Sequence, residues 1–249
     1  MFKKLFKKIG LSDTHYLNQH TPHMPPEERF FSSIVGYPEI KKLMMRAIIS
    51  KEPSHILLTG PPASSKTIFL LEMNKGLDNA YFIDGVSSTG SGMIDYLFDH
   101  SSTKYLLIDE IDKMKVSDQV ALLNVMETGI LSETKSKRTK GSRQQKMNLW
   151  IFATSNDSER LSKPLKSRFS VFSLPEYTLE EFSEIAIMLL EQRYKIRRET
   201  ATKITNSVWT RLNSKDVRDI LKIGKLAKPD ETDADVDWLI DTYKKYSQK

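Results

Sequence analysis

Cysteine is absent from the 249-residue chain, which excludes disulfides, thiolate metal sites and cysteine nucleophiles. Long apolar runs are absent too: none approaches the roughly 20 residues that a membrane-spanning helix needs. Aromatics are sparse at 9%, and glycine and proline number ten each, so no repeat or low-complexity bias is present. Met1–Gly10 has no uninterrupted apolar core and no small-residue cleavage site, so no secretory leader is expected. What is there, 39% hydrophobic and 28% charged residues, is enough to bury a core and too apolar for a disordered chain. These features predict a soluble, cytoplasmic protein. A net charge of +6 leans towards anionic partners.

Three regions are expected. In residues 1–29, Phe2, Leu5, Phe6 and Ile9 fall at helical spacing opposite Lys3, Lys4, Lys7 and Lys8. A linker broken by Pro22, Pro25 and Pro26 follows, running to Glu28. The helix could dock on a protein partner or an anionic membrane surface, or stay unpacked. His15, His20 and His23 lack neighbouring carboxylates, and no metal is assigned to them.

Residues 30–174 read as an α/β domain. Pro38 opens a helix with Ile40, Leu43, Met44, Ala47 and Ile48 on one face. Near-continuous apolar runs follow at 55–59, 80–84, 105–109, 149–154 and 170–174, mostly separated by helix-length stretches. Strands covered on both faces look like this, so the pattern predicts a five-stranded parallel sheet. Residues 175–249 carry four helical faces and no strand. They are Leu179, Phe182, Ile185, Ala186 and Leu189; Ala201, Ile204, Val208 and Leu212; Val217, Ile220, Leu221 and Gly224; and Val236, Leu239, Ile240 and Tyr243.

The first strand runs into Gly60-Pro61-Pro62-Ala63-Ser64-Ser65-Lys66-Thr67 and then an apolar helix, the setting of a P-loop. Loop amides and the helix N-terminus would cradle phosphates, Lys66 would reach the β- and γ-phosphates, and Thr67 would offer its hydroxyl to Mg²⁺. Ser65 stands where the P-loop consensus has glycine, so a positive φ there would be strained. The strand at 105–109 ends in Asp109-Glu110: Asp109 is placed to hold Mg²⁺, and Glu110 to take a hydrogen bond from the attacking water. The next strand ends in Thr154-Ser155-Asn156, where a polar side chain could orient the same water. Arg168, beside Phe169, is a candidate arginine finger.

In this order the motifs resemble the AAA+ ATPase superfamily over nearly all of residues 30–246. Ile34-Val35-Gly36-Tyr37 resembles its adenine-contacting segment; Gly60–Thr67 and Leu106–Glu110 resemble Walker A and Walker B. Asn156 matches sensor 1, Arg168 the arginine finger and Arg218 the lid's sensor 2. Within the superfamily, Asp109-Glu110-Ile111-Asp112-Lys113-Met114 is similar to MCM helicases, and 161–169 to the RuvB branch-migration motor. MoxR-type ATPases share that branch. The resemblance implies an α/β domain with a helical lid, ATP and Mg²⁺ as ligands, and a homo-oligomeric ring, hexameric in the branch's manner. It leaves open a DNA motor or its loading partner, a protein remodeller, and a slow nucleotide-dependent switch.

An insertion between Leu131 and Leu149 carries Lys135, Lys137, Arg138, Lys140, Arg143 and Lys146 against Glu133 alone. Gly141 permits a hairpin tip. Such a hairpin would grip DNA phosphates without reading sequence; the other reading is a solvated loop.

Overall fold

The computed structural model describes residues 25–134 and 142–246. The basic segment Met1–Gly10, the three N-terminal histidines and Lys135, Lys137, Arg138 and Lys140 lie outside the described residues. Two compact units are present. One ends at Leu174; the other runs on from Pro175 and also takes in the loop Pro61–Ser64.

In the first unit, α1 (Pro26–Phe30) and α2 (Pro38–Ile48) precede β1 (His55–Thr59), followed by α3 (Lys66–Gly76), β2 (Ala80–Asp84), α4 (Gly90–Asp99) and β3 (Tyr105–Asp109). Then come α5 (Val116–Thr128), the pair β4 (Ile130–Thr134) and β5 (Ser142–Lys146), β6 (Trp150–Ser155), α6 (Lys163–Ser167) and β7 (Ser170–Ser173). The main sheet has the order β2-β3-β6-β1-β7, with every pairing parallel. All six residues of central β6 are buried, as are the first four of β3, which is why each opens with four apolar residues in a row. Tyr105 and Trp150 turn their polar tips to partners, Tyr105 Oη donating to Ile48 O (3.2 Å) and Trp150 Nε1 to Ser50 Oγ (2.8 Å).

The end of the expected linker is structured: from Pro26 onward it forms α1. Pro26 sits at the helix start, where its missing N–H costs nothing, and Glu27 and Glu28 occupy the first turn. Phe30 and Phe31 are fully buried, and Glu28 pairs with the buried Lys41 at 2.6 Å. In α2 the buried residues are Lys41, Met44, Met45, Ala47 and Ile48, while Ile40 and Leu43 are only half-buried. The apolar face is thus turned slightly from the one expected.

The second unit contains α7 (Leu179–Tyr194), α8 (Arg198–Thr210), α9 (Val217–Gly224) and α10 (Asp233–Tyr246). A reciprocal capping box between Thr178 and Glu181 opens α7. Phe182, Ile185, Ala186 and Leu190 face its core, whereas Leu179 at the helix start is exposed and Leu189 half-buried. Arg211 joins Asp237 (2.5 Å) and Asp241 (2.6 Å) of α10, and Lys203 joins Asp237 (2.9 Å). Hydrogen bonds from Lys203 and Arg211 hold the Asp237 carboxyl below its usual range.

Candidate nucleotide site and basic hairpin

Parallel β1, β3 and β6 all end on one edge of the sheet, the edge where open α/β sheets bind ligands. At the end of β1, Gly60 has φ +143°, and Ala63 and Ser65 adopt left-handed φ values of +65° and +59°. The strain expected at Ser65 is therefore present in the fold. Ser64 Oγ donates to Pro61 O at 2.8 Å, tightening the loop. Helix α3 begins at Lys66 without a side-chain cap and without an acidic residue in its first turn. Its amide end is electropositive and suited to an anion. Lys66 is buried, and its ammonium donates to Gly60 O at 2.8 Å across the base of the loop.

The two halves of the site meet through side chains. Thr67 Oγ1 donates to Asp109 Oδ1 at 3.0 Å, linking α3 to the end of β3. Thr154 Oγ1 donates to the same carboxylate oxygen and accepts the Glu110 N–H at 3.0 Å. Asn156 Nδ2 donates to Glu110 Oε1 at 3.1 Å, and its backbone N–H points to Asp112 Oδ1 at 3.3 Å. Lys66, Thr67, Asp109, Glu110 and Asn156, identified separately along the sequence, thus fall at adjoining strand ends. Thr154, one of three polar residues expected near the water, instead bonds Asp109 and the Glu110 amide. Its polarity after four apolar residues is visible, but its partners depend on which strands are neighbours.

A hydroxyl and a carboxylate 3.0 Å apart form a hard-oxygen donor set that fits Mg²⁺, which takes few protein ligands when phosphates supply others. Among the described residues, no cluster of three His, Cys, Asp or Glu side chains could hold a metal by itself.

Ile34 is buried and Val35 half-buried. Their segment packs against the P-loop helix, with the Phe31 ring 5.1 Å and the Tyr37 ring 6.3 Å from Phe69 on α3. Arg168 Nη2 donates to Glu127 at the end of α5, and both side chains keep substantial exposure. In the second unit, Pro61–Ser64, Glu176, Tyr177 and 213–216 line a cavity of about 250 Å³. Lys215 in that lining pairs with Glu176 at 2.5 Å. Arg218 lies two residues beyond the lining, its Nε donating to both carboxylate oxygens of Asp216 at 3.0 and 2.8 Å.

Of the two readings of the insertion, the described residues form the hairpin: β4 and β5 pair antiparallel, from Ile130 opposite Lys146 to Thr134 opposite Ser142. Gly129, at φ +65°, ends α5 and turns the chain into it. Lys146 is exposed. Arg143, the other described cation of the insertion, has partners on α4. Its Nη2 donates to Asp95 at 2.6 Å and its guanidinium lies 4.5 Å from the Phe98 ring centre, so α4 holds it.

The parallel sheet, the P-loop between β1 and α3 and the acidic end of β3 define an AAA+ fold. Residues 29–208 match the family described as the MCM P-loop domain, and the chain belongs to that family. It is 23% identical to the zygotic DNA replication licensing factor mcm6-A of Xenopus laevis, the alignment covering 88% of this chain and 30% of that protein. With DNA replication licensing factor MCM5 of Arabidopsis thaliana it shares 25% identity, over 80% of this chain and 30% of the relative. The chain thus spans under a third of these proteins. Among solved structures, the RuvB Holliday junction branch migration motor of Thermotoga maritima matches with a TM-score of 0.62. That match, at 19% identity, covers 84% of this chain and 70% of the RuvB chain, and it is a likeness of fold.

Proposed function

We propose that this chain is a Mg²⁺-dependent ATP hydrolase that works in a homo-oligomeric ring, hexameric in size, and acts on DNA. The observation that carries the chemistry is the convergence of Thr67 on Asp109 at 3.0 Å beside Asn156 on Glu110 at 3.1 Å. The non-proline amides of Gly60–Ser65, the start of α3 and Lys66 stabilise phosphate charge; Ile34 and Val35 border the adenine. Thr67 and Asp109 would hold Mg²⁺, which when bound neutralises charge on the β- and γ-phosphates. Glu110 takes a hydrogen bond from the attacking water and draws off its proton as the oxygen attacks the γ-phosphorus, while Asn156 fixes the carboxylate. Arg168 serves a neighbouring subunit's phosphate, with Glu127 holding it until then. Arg218 acts as the lid's sensor once it exchanges Asp216 for phosphate.

Support for DNA as the substrate comes from the hairpin and from relatives described as replication licensing factors. Lys135, Lys137, Arg138, Lys140 and Lys146 supply the phosphate contacts, with Arg143 bracing the hairpin against α4. The strained Ser65 favours a second reading, a slowly hydrolysing assembly switch. Phosphate release from ATP, measured with and without Mg²⁺, tests the proposal against Lys66→Ala. Wild-type release that requires Mg²⁺ and vanishes with Lys66 is expected; release that ignores either overturns it.

A further inference from the structure

Strand β3 lies between β2 and β6, and both neighbours reach the two acidic residues at its end. From the end of β2, the Gly85 N–H donates to Asp109 O at 2.8 Å. A methyl group on Gly85 would fall 2.4 Å from the Glu110 carbonyl oxygen, 3.0 Å from its carbonyl carbon and 3.1 Å from Asp109 O. Those are backbone atoms, which cannot swing aside as a side chain would. From β6, Thr154, 1% exposed, accepts the Glu110 N–H at 3.0 Å while its own hydroxyl is donated to Asp109. The Glu110 N–H is thus held from β6, while its carbonyl oxygen accepts the Lys113 N–H at 2.9 Å and leaves room on the β2 side for nothing larger than Gly85.

Glu110 needs such setting because its backbone is left-handed, with φ +49° and ψ +48°. For a residue with a Cβ that conformation is strained, and it persists only where the surroundings over-determine it. Its consequence is geometric. In an uninterrupted strand, adjacent side chains point to opposite faces. The left-handed turn ends the alternation, so Asp109 meets Thr67 while the neighbouring carboxylate meets Asn156.

We infer that Gly85 and Thr154 are positioning residues that clamp the Asp109–Glu110 pair from the two flanking strands. The inference rests on the reading of Glu110 as the group that activates water. Thr154→Val removes the hydroxyl and keeps the branched shape that suits β6; Thr154→Ser keeps the hydroxyl. Gly85→Ala places a methyl against the Glu110 carbonyl.

Steady-state ATPase assays on the full chain, with amide exchange at Glu110, test the clamp. Thr154→Val should lower kcat by about tenfold to a hundredfold, the size of effect that a small misplacement of a reacting group produces. KM for ATP should stay near the wild-type value, because the P-loop is untouched. Protection of the Glu110 amide should drop with Thr154→Val, and Thr154→Ser should restore both readouts. Gly85→Ala should lower kcat similarly. In a Glu110→Gln background, neither change should lower the residual rate much further. A fully active Thr154→Val beside a crippled Glu110→Gln would overturn the clamp alone. A Glu110→Gln protein as active as wild type would overturn the reading of Glu110, and the clamp's purpose with it.

Discussion

Replacing Arg143 by Ala should loosen the basic hairpin by a measurable amount. The side chain makes an ion pair with Asp95 at 2.6 Å and a cation–π contact with Phe98 at 4.5 Å, both on α4. The two partners of the ion pair are 37% and 53% exposed, so water screens it and its worth is about 0.5 kcal/mol. An exposed cation–π contact adds about 0.5–1 kcal/mol. Together they give about 1–1.5 kcal/mol, or roughly tenfold in the population of hairpins detached from α4. Hydrogen exchange of the amides in β4 and β5 reads that population directly when closing is fast. Arg143→Ala should speed it about tenfold, and Asp95→Ala by less, since the ring contact survives. Arg143→Lys should lie between, lacking the planar guanidinium. If Arg143→Ala leaves those amides as protected as before, α4 does not brace the hairpin. Arg143 would then return to the set of candidate phosphate contacts.

Arg168→Ala should bind nucleotide normally yet fail to hydrolyse it, and mixing it with Glu110→Gln protein should recover activity at mixed interfaces; exchanging subunits without recovery would refute a shared site. Changing Lys135, Lys137, Arg138 and Lys140 to Glu should abolish DNA binding with basal ATPase intact. Wild-type binding should weaken with salt by about 0.9 in log–log slope per duplex phosphate contact, measured by anisotropy; unchanged affinity after four reversals points to a protein substrate. His55, at the start of β1, has its pKa pushed by burial down to about 4 from 6.5. The unfolded imidazole takes up its proton first, so stability present above pH 6.5 should fall as pH approaches 4, and Tm should fall with it. His55→Phe should flatten that part of the Tm profile; an identical profile would show that another group controls it.

The strands were legible because burial on both faces leaves a run such as Leu106–Ile108 with no polar interruption. Boundaries moved by one residue at 149–154, which pairs as Trp150–Ser155, and at 170–174, which ends at Ser173, because the apolar Leu149 and Leu174 lie just outside the strands. Helix faces were legible in outline and rotated in detail. Leu190 replaces Leu189 in the core of α7, since two adjacent leucines satisfy the same periodicity and packing decides between them. Lys41 could not be placed inside from periodicity, because its burial depends on Glu28, thirteen residues earlier on α1. The candidate site was legible where one residue type does one task at a fixed spacing, as Lys66, Thr67, Asp109 and Glu110 do. Gly85, the partners of Thr154 and the Arg143–Asp95 pair were not, because each acts across elements that become neighbours only in the fold.

The central claim is that Glu110, held by Asn156 and set in place at the end of β3, activates water for attack on ATP. Single-turnover hydrolysis by Glu110→Gln, with ATP prebound and Mg²⁺ added to start, tests it most directly. The amide keeps the shape and accepts a proton poorly, so nucleotide affinity should match wild type while the chemical step slows by about a hundredfold or more. Hydrolysis at the wild-type rate with ATP fully bound would contradict the account.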